Sequence, residues 1–322
     1  MISKNDFIEK KIILAFTIDG DTISFSNSNI IIKDKDNKIK LQYTCYKILS
    51  LYIIGGFSVT SKILEMSSKF GFSIYLLNTN FKLLALINND LLGNTLIRSL
   101  QYDNNKNRDF FIAQQIIKLK TNNQINILKK IGLREQKIKE KIKFLELEIT
   151  SIDKTTKINE LMGIEGYIAK EYFKIIFSDN KWLRREPRVK RDIINLLLDI
   201  GYTILFNYIE TILNLYGFDT FKGNLHQEFY KRKSLVCDLM EPFRPIIDYE
   251  IRKMYNLKQV DEKDFYIDNL AYNLKWEKGK KYYKCFVGAI INKQEEIFQF
   301  ITDYYRWYAK NDLKNKFPEV TL

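Results

Sequence analysis

The sequence predicts an α+β protein: a small N-terminal β domain, sandwich-like, over residues 1–87, then a larger all-α catalytic domain over residues 88–322. Three observations lead there. Short β-branched runs separated by turn residues fill the first part, and apolar residues at helical spacing fill the second. A chain of 322 residues is also long enough to bury two cores.

Residues 12–18, 22–25 and 30–32 read as strands, parted by Asp19-Gly20-Asp21 and Asp34-Lys35-Asp36-Asn37, whose side chains favour turns. Residues 46–54 and 72–77 add strands, and a short helix over 60–70 stops at Gly71, a residue free to take the left-handed cap. Residues 81–87 complete the β domain. Beyond it, 92–119 and 125–152 are helical by period, the second laced with Lys and Glu that pair along one face. Helical patterning continues at 164–177, 193–215, 235–254 and 295–309. Ser234 is the expected N-cap of the 235–254 helix, and Pro242 and Pro245 should kink or restart it.

Composition narrows the function. With 46% hydrophobic and 28% charged residues the chain is globular rather than disordered. A formal charge of +13 favours an anionic partner, nucleic acid before a membrane surface, although an AT-rich coding bias toward Lys, Asn and Ile contributes part of it. Cys45, Cys237 and Cys285 lie too far apart for a disulfide framework or a zinc site. The N-terminus lacks a signal-peptide plan, and the longest apolar stretch, 48–59, is short and carries Gly55-Gly56. No membrane span and a cytoplasmic location are therefore expected.

Four constellations could carry chemistry. In Gly163-Ile164-Glu165-Gly166, two glycines beside a glutamate at a helix start permit close approach; a first-turn carboxylate also gains from the helix dipole without any ligand. His226, the only histidine, sits among Lys222, Lys231, Arg232 and Lys233. Asp238 and Glu241, three apart, share one helix face, and like charges there need a cation: a divalent ion, or Arg244 in an ordinary ion pair. Oxygen ligands with one imidazole suit Mg²⁺ or Mn²⁺ acting on phosphate esters rather than Zn²⁺. Finally Arg184, Arg185, Arg188, Lys190 and Arg191 form a basic run suited to phosphate-backbone contact, or to a solvated loop; with Lys231, Arg232, Lys233 and Arg244 they are the expected DNA-contacting set. No phosphate-cradling Gly-x-x-x-x-Gly-Lys loop is present, nor a Cys–His pair suggesting a thiol nucleophile.

Read in order, these residues resemble a known signature. Gly163-Ile164-Glu165-Gly166 with Tyr172-Phe173, Asn195 before Gly201-Tyr202, His226, and the run Ser234-Leu235-Val236-Cys237-Asp238-Leu239-Met240-Glu241-Pro242-Phe243-Arg244-Pro245 are similar to the core CRISPR-associated integrase family. Its members insert new spacers into CRISPR arrays. The β domain agrees by pattern only. The resemblance implies that Glu165, His226 and Glu241 bind the divalent metal, with Asp238 as an auxiliary acid. It also implies an asymmetric homodimer, often joined by a small ferredoxin-like partner. The reaction implied is transesterification, in which a DNA 3′-hydroxyl attacks a phosphodiester of the repeat, with hydrolysis available at the same site. Before Asn195 the chain departs from the family, having Arg184-Arg185-Glu186-Pro187-Arg188 where an Arg and paired prolines are usual. Two other readings stand beside this one: an endonuclease acting on branched DNA, and a non-catalytic DNA-binding scaffold whose acidic pair is structural.

Overall fold

A computed structural model of the chain describes residues 9–58, 60–78, 83–87, 94–131, 136–178, 182, 184–187, 189–226 and 229–322, with backbone only at 136–138. Two compact units emerge: Met1–Leu92 with Leu274–Tyr282, and Gly93–Asn273 with Tyr283–Leu322. The first boundary falls at 92/93 rather than 87/88, and a late segment returns to the first unit, which periodicity does not reveal.

The first unit holds two sheets. Strands β1 (Lys11–Thr17), β5 (Ile48–Gly55), β6 (Ser73–Leu77) and β7 (Leu83–Ile87) form one, in the order β1-β5-β6-β7. The β1–β5 and β5–β6 pairs are parallel, and β6–β7 is antiparallel. Central β5 is buried along nearly its whole length, so it reads as an unbroken apolar run rather than an alternation. The second sheet is an antiparallel meander of β2 (Thr22–Ser26), β3 (Asn29–Lys33) and β4 (Ile39–Thr44). Ile30 and Ile32 of β3 join Ile13, Ala15, Leu51, Ile53 and Ile74 of the larger sheet in one core, closed by Ile63 of helix α1 (Ser61–Phe70). As expected, α1 ends at Gly71 with φ 69°. Strand β4 was not anticipated: its lysine-flanked start and its lack of any fully buried residue mark a sheet edge rather than a core strand. Of the strand expected at 81–87, residues 81 and 82 lie outside the described residues.

The returning segment packs into this unit through Trp276, whose ring lies 5.7 Å from that of Phe16. Gly55 makes room for it: at φ 115° a Cβ would meet the Trp276 ring at 2.9 Å.

The second unit is helical: α2 (Thr95–Gln101), α3 (Lys106–Lys130), α4 (Gln136–Asp153), α5 (Ile158–Ile176), α6 (Ile193–Leu215), α7 (Ser234–Met240), α8 (Arg244–Asn256), α9 (Trp276–Ile291, begun in the first unit) and α10 (Gln294–Lys310). It is not strictly all-α, because a hairpin of β8 (Phe265–Asp268) and β9 (Ala271–Leu274) interrupts it. Helix α6 is long and apolar enough to cross a membrane, yet 83% of that apolar window is buried inside the protein, as for a bundle's central helix.

Helix α3 corrects the expected break between residues 119 and 125. Its polar stretch is satisfied partly within the helix and partly by a distant turn. The Thr121 hydroxyl donates to the Ile117 carbonyl at 2.9 Å, and Asn123 Nδ2 donates to the Pro242 carbonyl at 2.9 Å. The true start of α3 is capped by Asn105, which accepts from the Arg108 amide at 3.1 Å. Helix α5 begins six residues earlier than expected, so Glu165 sits in its interior and Glu160 occupies the capping position. The helix expected at 235–254 does break at the prolines: Glu241–Phe243 forms a 3₁₀ turn between α7 and α8. Lys233, not Ser234, is the residue before the first turn of α7.

Candidate active site

Helix α5, helix α3 and the 3₁₀ turn bring Glu165, Lys120 and Glu241 together inside the second unit. The Lys120 ammonium contacts Glu165 Oε1 and lies 2.8 Å from Glu241 Oε2. On the other side, Arg244 Nε at the start of α8 lies 3.0 Å from Glu241 Oε1. The Glu241 side chain is 5% exposed, that of Lys120 11%. Lys120 donates a hydrogen bond to Glu165, whereas the contacts to Glu241 are of charge: neither Glu241 Oε2 nor Arg244 Nε makes a directed hydrogen bond. Burial works against the Glu241 carboxylate, but the Arg244 and Lys120 charges prevail and hold it down at about 2. Burial likewise opposes the Lys120 charge, and Glu165 and Glu241 raise its pKa nonetheless.

Asp238 is handled differently. Fully buried on α7, it accepts from the backbone amides of Asn224 at 2.6 Å, Leu225 at 2.9 Å and His226 at 3.1 Å. Its Oδ1 also lies 2.6 Å from His226 Nδ1. A carboxylate only accepts, so Nδ1 carries the hydrogen and a neutral ring keeps the Nε2 lone pair available. This is the carboxylate–imidazole pairing that orients a metal ligand. The loop reaches Asp238 because residue 223 is glycine: a Cβ there would stand 2.7 Å from Ser234 Cβ and 2.9 Å from Asp238 Oδ2.

Behind Arg244 lies a second buried acid. The Arg244 guanidinium sits 4.6 Å over the Tyr202 ring, and the Tyr202 hydroxyl donates to Asp248. Burial pushes Asp248 up to about 6 against the pull of that hydrogen bond and of Arg244. Gly201 allows this packing, since a Cβ would run into Ile247 of α8.

The four expected acid and imidazole residues thus form two linked pairs, Glu165 with Glu241 through Lys120, and His226 with Asp238. Among the described residues no three Asp, Glu, His or Cys side chains are grouped to hold an ion as they stand. The two glutamates share a cation position, their oxygens are of the hard kind that Mg²⁺ and Mn²⁺ take, and Glu241 Oε2 is buried without a hydrogen bond. In these respects the donor set fits the ion.

The expected DNA contacts separate into kinds. Arg184, Arg191, Lys231 and Arg232 are exposed, the first two flanking Glu186 and Lys231 lying over the Tyr230 ring. Lys190 is half-buried, its carbonyl accepting from the Tyr272 amide at 2.8 Å. Arg185 departs from expectation: its guanidinium binds Asn195 Oδ1 at 2.9 Å and Asp199 Oδ1 at 2.5 Å, within the protein. Lys233 is tied to the buried Glu210. Arg244 belongs to the acid cluster, and Arg188 lies outside the described residues. Asn195, part of the family-like spacing, fastens this loop by also binding the Glu186 amide at 2.9 Å and the Arg184 carbonyl at 3.0 Å.

Lys120 is the site residue that sequence reasoning missed. Its signal was a lysine on the face of α3 that carries Ile116, Ile117 and Ile127, hidden by the break expected beside it.

Such a site, acids and an imidazole in the helical unit of a two-unit α+β protein, defines the class of molecule. The description "CRISPR associated protein Cas1" belongs to the family model that matches residues 14–287. The chain belongs to the Cas1 family, and it is an enzyme of the endonuclease and integrase type. A CRISPR-associated endonuclease Cas1 from Thermodesulfovibrio yellowstonii is 29% identical over 81% of this chain and 83% of its own. Another from Leptospira interrogans is 32% identical over 53% of this chain and 73% of its own. Among solved structures, a Cas1 protein from Thermotoga maritima superposes with TM-score 0.81 at 19% identity, covering 93% of this chain and 97% of that one. A casposase bound to integration product gives TM-score 0.80 at 21% identity, covering 95% and 93%.

Proposed function

We propose that this protein is the metal-dependent integrase of CRISPR adaptation, joining DNA 3′-hydroxyl ends to a CRISPR repeat by transesterification. The observation that carries the reading is the single cation position shared by Glu165 and Glu241, together with an imidazole that Asp238 orients through Nδ1. Glu165, His226 and Glu241 would hold Mg²⁺ or Mn²⁺. The bound ion supplies polarisation of a phosphoryl oxygen and a lower pKa for the attacking hydroxyl. Asp238 fixes the His226 ring, and Arg244 adds positive charge where a phosphodiester gains negative charge. Arg184, Arg191, Lys231 and Arg232 offer outward charge for DNA phosphates. One P–O bond forms as one breaks and the proton passes to the leaving 3′-oxygen, so no covalent enzyme intermediate or energy source is needed. The complexes among its fold neighbours, a Cas6-RT-Cas1–Cas2 assembly and the product-bound casposase, support a DNA substrate and a small Cas2-type partner. A homodimer and a cytoplasmic location complete the reading.

The test is half-site integration with purified protein, a labelled 3′-hydroxyl donor and a supercoiled repeat target, in Mg²⁺ or Mn²⁺. We expect covalent donor–target product that vanishes with Glu165→Ala or His226→Ala. Product that persists in either variant would sink the assignment. Cleavage without joining would favour the branched-DNA endonuclease instead.

A further inference from the structure

We infer that Lys120 is a resident counter-ion: its ammonium fills the cation position between Glu165 and Glu241 in the metal-free protein and leaves it when a divalent ion enters. The inference rests on the metal-site reading above and concerns a residue that reading does not use. One nitrogen touches both carboxylates, which would otherwise repel across a buried space. Lysine is almost never this buried without a partner, and here its partners are the two acids proposed as ligands. The backbone that carries it is tied to the turn that carries Glu241. Asn123, one turn along α3, is bonded to the carbonyl of Pro242, the neighbour of Glu241, so the helix and the turn move together. Only the side chain can yield, and a lysine stem is flexible enough to do so while its helix stays in place.

A physical consequence follows from the charge balance. Lys120 and Arg244 together neutralise Glu165 and Glu241, so the metal-free site is stable and has little net pull on a free ion. A divalent ion entering alone must face two retained cations. A DNA phosphate arriving with it offers the displaced ammonium a new anionic partner. Lys120 therefore makes metal loading depend on DNA, keeping the DNA-free state closed to the ion.

The experiment is Mn²⁺ titration, followed by the electron paramagnetic resonance signal of the free ion, on wild type, Lys120→Met and Glu165→Gln, each with and without duplex DNA carrying a 3′ overhang. We expect Lys120→Met to bind Mn²⁺ roughly tenfold tighter than wild type without DNA, the effect of removing about one unit of opposing charge interaction. Its metal-free melting temperature should fall below that of wild type and recover on adding Mn²⁺, while DNA should tighten Mn²⁺ binding in wild type more than in the variant. Lys120→Gln, uncharged but still able to donate to both acids, gives the same affinity reading should the Met variant not fold. Equal or weaker Mn²⁺ binding by both Lys120 variants, with wild type binding and Glu165→Gln not, overturns this inference and leaves the metal-site reading intact. Unchanged binding by Glu165→Gln places the ion elsewhere and removes both.

Discussion

Asp238 and Glu241 enter the sequence as near twins, two carboxylates three residues apart, and the folded protein treats them in opposite ways. At the Asp238 end, α7 and the 223–226 loop surround the carboxylate with amide hydrogens and one imidazole, each directed at a particular oxygen. At the Glu241 end, α3 and α8 supply two full charges and no directed hydrogen bond to Oε2. Directed bonds fix a geometry, whereas a charge contact tolerates exchange of one cation for another. The comparison teaches that the first acid is built into the scaffold and the second is built to change partners.

Replacing each acid is the strongest way to break that contrast. Glu241→Ala leaves Arg244 and Lys120 without the carboxylate between them, so strand transfer should fall to background and stability by about 3–5 kcal/mol. Asp238→Ala should instead leave the Lys120 pair in place and weaken Mn²⁺ binding by about ten- to a hundredfold through the misdirected imidazole. Calorimetric titration and denaturant unfolding read both. Equal losses of metal affinity in the two variants would mean that the acids are not distinct.

The pH dependence of unfolding sharpens it. Glu241, held at about 2 against an ordinary 4.5, contributes stability that is present above pH 4.5 and lost as pH falls through 2. Asp248 has the opposite sign. Raised from 3.8 to about 6, it binds its proton more tightly folded than unfolded, so its contribution is fully present below pH 3.8 and lost as pH rises through 6. Melting curves of wild type and Asp248→Asn across pH 3.5 to 7 check this. The variant should lose the decline between about 4 and 6. A decline that survives the substitution assigns it to another group.

The smallest effects belong to the basic loop. Arg184→Ala or Arg191→Ala should reduce the salt slope of DNA binding by about one each, while Arg185→Ala should lower stability and leave the slope unchanged. A flattened slope for Arg185→Ala would show that its bonds to Asn195 and Asp199 open in the complex.

The legible parts of the molecule were those where local pattern and tertiary structure agree. Helix α6 has the bounds its period predicts, and the prolines break the chain around Glu241 as their ring chemistry requires. Glu165, His226, Asp238 and Glu241 stood out because polar residues recur there in an order shared with a family. What stayed hidden depended on distant partners. Asn123 looks like a helix breaker until Pro242 is beside it, and with α3 cut at that point Lys120 was lost as well. Arg185 carries the same charge as Arg184 in sequence, and only Asn195 and Asp199, brought up by α6, distinguish them.

Trp276 sets a timetable for synthesis. The space that Gly55 clears in the N-terminal unit is filled by a side chain that the ribosome adds only after the acid cluster has already been translated. The first unit begun is therefore among the last finished, and a nascent chain halted before residue 276 presents the bare Phe16 flank to whatever chaperone or aggregate meets it.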